Sequence, residues 1–322
     1  MPPSVLSPPM RREVVLLLIL AVVAAAMHAL SGIFLSARNL LDMGRHGVEV
    51  GLIALPMTLI IITRGIDLSV GSMVGLAAMT LGLCWEAATA HGLGAAVPVA
   101  VGCALGVGAM AGAVNGVLVA RAGLPPLIVT LATLAVYRGL AMGLSRARAI
   151  HGYPASFYTL GQGDILGIPS QVLLFALLSV AVGVALGGTA WGRTIYAIGC
   201  NEEAARFSAL PVTRTKLMLY VGSGLFSALA AVVYVSRVST ARADAGTGFE
   251  LDAIAAVVLG GTSISGGEGG VAGTVIALLI ISALRNGLFL ARYPAEVQPV
   301  IIGGVLILSI LMDRLARRSQ VA

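Results

Sequence analysis

Residues 93–119 read LGAAVPVAVGCALGVGAMAGAVNGVLV, a run without one charged side chain. A helix rises about 1.5 Å per residue and the hydrocarbon core of a bilayer is about 30 Å thick, so roughly 20 apolar residues suffice to cross it. This run is long enough to span. Lipid offers no partner to backbone N–H and C=O groups, so the crossing segment must be a helix. The same character extends over the whole chain of 322 residues, which is 58% hydrophobic and 11% charged with a mean hydropathy of +0.99. Spans are predicted near 14–36, 48–63, 69–86, 93–119, 127–144, 170–190, 217–236, 251–264, 270–290 and 296–312. The fold class is therefore all-α: a polytopic membrane protein of about ten transmembrane helices, nine remaining an open count. The spans starting at 48, 251 and 296 are short, and Gly65, Gly260, Gly261, Gly266 and Gly267 interrupt their neighbourhoods, which predicts broken or re-entrant helices.

The domain plan is correspondingly simple: an N-terminal segment 1–13, one transmembrane domain 14–312 containing a polar loop 193–216, and a basic tail 313–322. Arg11 and Arg12 before an apolar run that ends in small residues also fit a signal peptide. An uncleaved first helix is preferred because many spans follow. The formal charge of +6 and pI near 9.6 do not indicate nucleic acid, because the basic residues are scattered between apolar runs. They mark topology instead. Arg193, Arg206, Arg214 and Lys216 in the polar loop, and Arg314, Arg317 and Arg318 in the tail, put both on the cytoplasmic side, with both termini inside and the lipid bilayer around the rest. NGVLVAR at 115–121 resembles NGLFLAR at 286–292, with opposite predicted sidedness, as an inverted repeat requires. GIDLSVG at 65–71 also resembles GTSISGG at 261–267, at another offset and with the same sidedness, so internal duplication is left open.

No site for hydrolysis is visible. A P-loop needs Gly-Lys-Ser/Thr to hold phosphate and magnesium, and the only lysine is Lys216, in TRTKL. No H-E-x-x-H occurs. Histidines 28, 46, 91 and 151 and cysteines 84, 103 and 200 lack metal-ligand spacing. The chain is read as no enzyme, with no metal and no cofactor of its own.

One stretch breaks the apolar pattern: GCNEEAARFSALPVTRTK, residues 199–216. Asn201 suits an N-cap, Glu202 and Glu203 the positive end of a helix dipole, and Pro211 a stop. About nine helical residues make a rod of roughly 14 Å, with Ala204, Phe207 and Leu210 spaced along one face. Such a helix either lies on its own membrane domain or docks a cytoplasmic partner.

The polar residues within spans are equally few. Asp67 in RGIDLSVG needs a partner at membrane depth, and Arg64 three residues away is the nearest candidate. Asp67 and Ser69 either cap the following helix or touch solute. Arg138 lies inside an apolar run and is either a hydrogen-bond anchor or a pathway lining, while Asn115 fits helix-to-helix bonding. Pro125 and Pro126 mark a helix start.

Four separately placed motifs carry a family resemblance: RGIDLSVGSMVGLAAM at 64–79, LPPLIVTLATLAVYRGLA at 124–141, YAIGCNEEAARFSALPV at 196–212 and AVVLGGTSISGGEGGVAGTVIA at 256–277. In this order they resemble the ribose-type sugar permeases of ABC importers, and IALPMTLIIITRGIDLS is most similar to the autoinducer-2 or rhamnose branch. The resemblance implies two permease subunits, identical or homologous, forming a pathway, two cytoplasmic ATPases that bind ATP, and a periplasmic sugar-binding protein. It also implies that Asn201, Glu202, Glu203, Ala204, Ala205, Arg206, Phe207, Ser208 and Leu210 form the coupling helix seated on the ATPase. The family usually has glycine where this chain has Ala209, and a slightly longer helix is expected from that change. The rival class, an ion-gradient transporter, needs membrane-embedded carboxylates, of which Asp67 is the visible one. An intramembrane enzyme needs a nucleophile and base that are not recognisable.

Overall fold

The computed structural model describes residues 8–92, 94, 96–146, 148–294 and isolated positions from 297 to 307. The helices are α1 (Pro8–Leu30), α2 (Ala37–Ile62), α3 (Val70–Ala90), α4 (Ala96–Ala120), α5 (Pro126–Ser145), α6 (Ala155–Gln162), α7 (Ser170–Gly188), α8 (Ala190–Cys200), α9 (Glu202–Phe207), α10 (Val212–Val238), α11 (Phe249–Leu259) and α12 (Val271–Leu290). Between α6 and α7 a small hairpin pairs β1 (Asp164–Ile165) with β2 (Ile168–Pro169). Among the described residues, eight helices, α1 to α5, α7, α10 and α12, have the length and composition to cross a membrane. The all-α polytopic reading holds.

The core forms around α2, whose residues Val48 to Ile62 are all buried, with α10, α11 and α12 against it. The outer helices α1, α4, α5 and α7 instead present apolar side chains such as Val22, Met110, Ile128 and Leu177 outward, the character that a surface in contact with lipid requires. Helix α10 meets α4 backbone to backbone: a Cβ added at Gly112 would sit 2.2 Å from the Tyr220 carbonyl oxygen, so only glycine permits this approach.

Two boundaries differ from expectation for identifiable reasons. Helix α2 is not short: it spans 26 residues from Ala37, because Ser36 caps it by accepting from the Asn39 N–H at 3.4 Å. Its first turns carry Arg38, Asp42 and Arg45, which hid them from an apolar-run reading. Helix α11 is indeed short, at 11 residues. A non-helical loop then leads to α12, and in it the Gly267 N–H donates to the Ile62 carbonyl at the end of α2 at 2.9 Å. The last expected span, 296–312, lies largely outside the described residues.

The bundle has two distinct ends. At one, the end of α2, the end of α8 and the 262–269 loop meet through Arg64, Gly199 and Gly267. At the other, Asn39 bonds Asn286 at 2.8 Å, Gln162 bonds Ser239 at 2.9 Å and Ile150 bridges Ala241. The two related heptapeptides end α4 and α12 with the same closure, Ala122 N–H to Val117 O at 3.0 Å and Tyr293 N–H to Leu288 O at 3.0 Å. Val119 packs with Leu59 and Ile62 at the first end, whereas Asn286 lies at the second. That is the arrangement an inverted duplication requires.

Candidate functional site

The polar stretch folds as a short capped helix at the end of the bundle where α2 and α8 finish. The Asn201 side chain accepts from the Ala204 N–H at 3.0 Å, Glu202 and Glu203 occupy the first turn, and Glu202 bonds Arg206 at 2.8 Å and also Lys216 at the start of α10. The helix is six residues long, not nine. Leu210 N–H closes on Ala205 O at 3.1 Å and Ala209 N–H on Arg206 O at 3.0 Å, with Ala209 left-handed at φ 57°. This is the helix end glycine normally makes. The expected lengthening at Ala209 is therefore corrected: alanine adopts the glycine conformation and the helix stops. The left-handed alanine costs about 1 kcal/mol, and glycine's greater unfolded freedom offsets part of any relief. Ala209→Gly is expected to slow amide exchange across α9 about twofold, leaving partner association unchanged.

The expected face is also corrected. Ala205, not Ala204, is buried, and it packs with Leu210 against Ile198 and Val212, while Phe207 is 91% exposed. Glu203, Ala204, Arg206 and Ser208 are exposed beside it. Burial raises the Glu202 carboxyl, but hydrogen bonds and charge from Lys216 and Arg206 outweigh it, and the net direction is below the ordinary range. A carboxyl depressed on folding stabilises above its unfolded value, about 4.3, and loses that contribution as pH falls through the folded value. Amide exchange across α9, corrected for intrinsic rate, is expected to be flat from pH 8 to about 5 and to accelerate below about pH 4.

The island is tied to the membrane domain at one junction. Arg64, left-handed at φ 62°, donates from Nε to Gly199 O and from Nη2 to Cys200 O, both at 2.7 Å. Gly199 must lack a side chain, because a Cβ there would lie 2.0 Å from the Ile62 carbonyl oxygen. Arg64 therefore does not pair with Asp67. The turn at Arg64 aims its guanidinium at the last carbonyls of α8, just before the capped helix, where a cation complements the helix dipole.

Asp67, Ser69 and Asn115 come together in one buried cluster. Asp67 accepts from Ser69 N–H at 3.1 Å, Ser69 Oγ at 2.7 Å and Ser223 Oγ at 2.8 Å. Asn115 donates to Ser69 Oγ at 2.8 Å, and Tyr137 donates to Ala111 O at 2.9 Å and Asn115 Oδ1 at 3.3 Å. The cluster thus joins the α2–α3 turn to α4, α5 and α10. Arg138, the next residue on α5, lies apart from it and acts as an anchor, donating to Ala243 O, Ala245 O at 3.0 Å and Gly71 O at 3.3 Å.

Sequence reasoning missed Ser223 and Tyr137, which look like any small or aromatic residue of a span, and it missed Glu49. Glu49 is 1% exposed inside α2 and paired with Arg237 of α10 at 2.6 Å. A carboxylate within an otherwise apolar run was the available signal.

A family model described as "Branched-chain amino acid transport system / permease component" matches residues 39–310. The ribose import permease protein RbsC of Bacillus subtilis (strain 168) is 41% identical over 288 residues, covering 88% of this chain and 87% of that protein. RbsC of Escherichia coli (strain K12) is 39% identical over 293 residues, 90% of this chain and 89% of that protein. The autoinducer 2 import system permease protein LsrD of Yersinia pseudotuberculosis serotype O:3 (strain YPIII) is 38% identical over 268 residues, 81% and 79% of the two chains. No solved structure matches.

Proposed function

We infer the working role of this chain from one premise: it belongs to the permease family of ABC importers that its ribose-type relatives represent. It is a multi-pass permease subunit that translocates a small sugar or sugar-like solute, of the ribose or autoinducer-2 kind, with energy supplied by separate ATPase subunits. The finer assembly is our reading: two ATPases on the cytoplasmic side, a second permease subunit, identical or homologous, and a solute-binding protein on the periplasmic side. On that reading the inner membrane holds the chain with both termini in the cytoplasm, and ATP is bound by the partners alone.

The observation that carries the coupling role is Phe207, the large apolar side chain of α9, which is 91% exposed while Ala205 and the following Leu210 pack inward. An aromatic so placed is a candidate anchor for a partner pocket. ATP-driven closure of the ATPases would press on α9, and Arg64 would pass the displacement to the α2–α3 turn and its buried cluster. The Gly267–Ile62 bond extends the same junction to the loop before α12. Alternating access follows as rearrangement of spans around a central path. Asp67 and Glu49 both have internal partners, so neither stands free as a site for a driving ion.

Proteoliposomes holding the chain, its ATPase and binding protein are expected to accumulate radiolabelled D-ribose or autoinducer 2 only with ATP. Accumulation driven by an ion gradient with the ATPase absent overturns the reading.

A further inference from the structure

The segment between α10 and α11 carries charge at a depth where charge is costly. Arg138 pins its carbonyls at 243 and 245, and a Cβ added at Gly75 would lie 2.6 Å from Ala243 O and 3.2 Å from Ala245 O. Gly75 is eleven residues along α3 from Glu86, which pairs with Arg148 at the far end of the bundle. At 1.5 Å per residue the carbonyls at 243 and 245 lie about 16 Å along α3 from that ion pair, whereas Ala241, bridged to Ile150, stays near it, so the segment runs inward from the bundle end toward the middle of a hydrocarbon layer about 30 Å thick.

On this inward run Arg242 and Asp244 are half exposed, with side chains 55% and 54% accessible. They form a two-pronged pair, Nε to Oδ1 at 2.9 Å and Nη2 to Oδ2 at 2.7 Å. Thr247 is exposed beside them, its hydroxyl donating to Asp244 O at 2.7 Å. Glu250 Oε2 is buried against Gly71 without a hydrogen-bond partner. Side chains facing lipid at that depth would be apolar, as Leu177 and Val180 are on α7. Half-exposed charges there must face water or protein.

We propose that Arg242, Asp244 and Thr247 line the solute passage and contact a neutral, polyhydroxylated solute as it crosses. This rests on the permease reading above. The paired guanidinium and carboxylate present donors and acceptors side by side with no net charge, which matches vicinal hydroxyl groups. Both remain exposed, so the contact is weak, as a passage requires if solute is to leave. Arg138 is the positioning residue that holds the segment at this depth.

The test uses Asp244→Cys and Thr247→Cys, each in a Cys200→Ser chain assembled with its partners in proteoliposomes. Leu177→Cys and Val180→Cys serve as lipid-facing references, and the Cys200→Ser chain controls for the remaining cysteines. A charged, membrane-impermeant methanethiosulfonate is expected to react at 244 and 247 at least tenfold faster than at the references. Arg242→Gln is expected to lower ATP-driven D-ribose uptake at least fivefold with ATPase association unchanged. Thr247→Cys, outside the ion pair, keeps the test open if Asp244→Cys does not fold. Reaction as slow as at the references overturns the proposal. So does a disulfide between two copies of Thr247→Cys without reagent access, which would make this face a subunit contact. Reagent access is measured whether or not D-ribose is the solute, so a wrong substrate class and a wrong passage are told apart.

Discussion

Asp67→Ala is expected to lower the stability of the membrane domain by about 3–5 kcal/mol, read as a fall in the midpoint of thermal unfolding and in monodisperse yield from detergent. The alanine leaves three donors with no acceptor: the Ser69 N–H, the Ser69 hydroxyl and the Ser223 hydroxyl, all buried. Each stranded donor costs about 1–3 kcal/mol, and their shared acceptor makes the sum less than additive. Asp67→Asn separates geometry from the loss of an acceptor. Its amide oxygen still accepts from Ser69, and its NH2 can donate to Ser223 Oγ, so it is expected to cost about 1–2 kcal/mol. Equal losses for the two variants would refute the hydrogen-bond account.

Phe207→Asp is expected to weaken association with the ATPase at least 30-fold while the unfolding midpoint stays put. A buried phenylalanine contributes about 1.5–3 kcal/mol, and an aspartate in its place would add an unpaired charge to the contact. At 1.4 kcal/mol per tenfold, even 2 kcal/mol approaches the stated effect. The side chain is 91% exposed in the isolated chain, so its removal costs the fold within about 0.5 kcal/mol. Pull-down of the ATPase at wild-type strength would remove α9 as the docking element.

The apolar runs made the helices legible because crossing lipid leaves a chain few choices of backbone. What they could not reveal is where a helix begins once it leaves the hydrocarbon, and so α2 gained its charged first turns only in three dimensions. Partners were harder. Arg64 and Asp67 look like a pair because they are close in sequence, but the left-handed backbone at Arg64 sends its side chain to Gly199 and Cys200. Glu49 and Arg237 are 188 positions apart, and no local pattern joins them. On α9 the capping residues were readable from their types, whereas the face was not. Spacing places Leu210 beside Phe207 only if the helix continues, and the reversal at Ala209 turns Leu210 toward Ala205 instead.

The buried cluster has a consequence for synthesis. Asp67 enters the membrane with the second and third helices, but its partner Ser223 lies 156 residues later in the chain. At 5–20 residues per second the ribosome needs roughly 8–30 s to supply that hydroxyl. Through this interval the carboxyl has Ser69, and then Asn115 donating from Nδ2 at 3.5 Å, but lacks its last donor, so the early helices wait in the bilayer with an incomplete polar contact. Arrival of α10 closes it, and the order of translation thereby makes α10 the helix that locks the first half of the bundle.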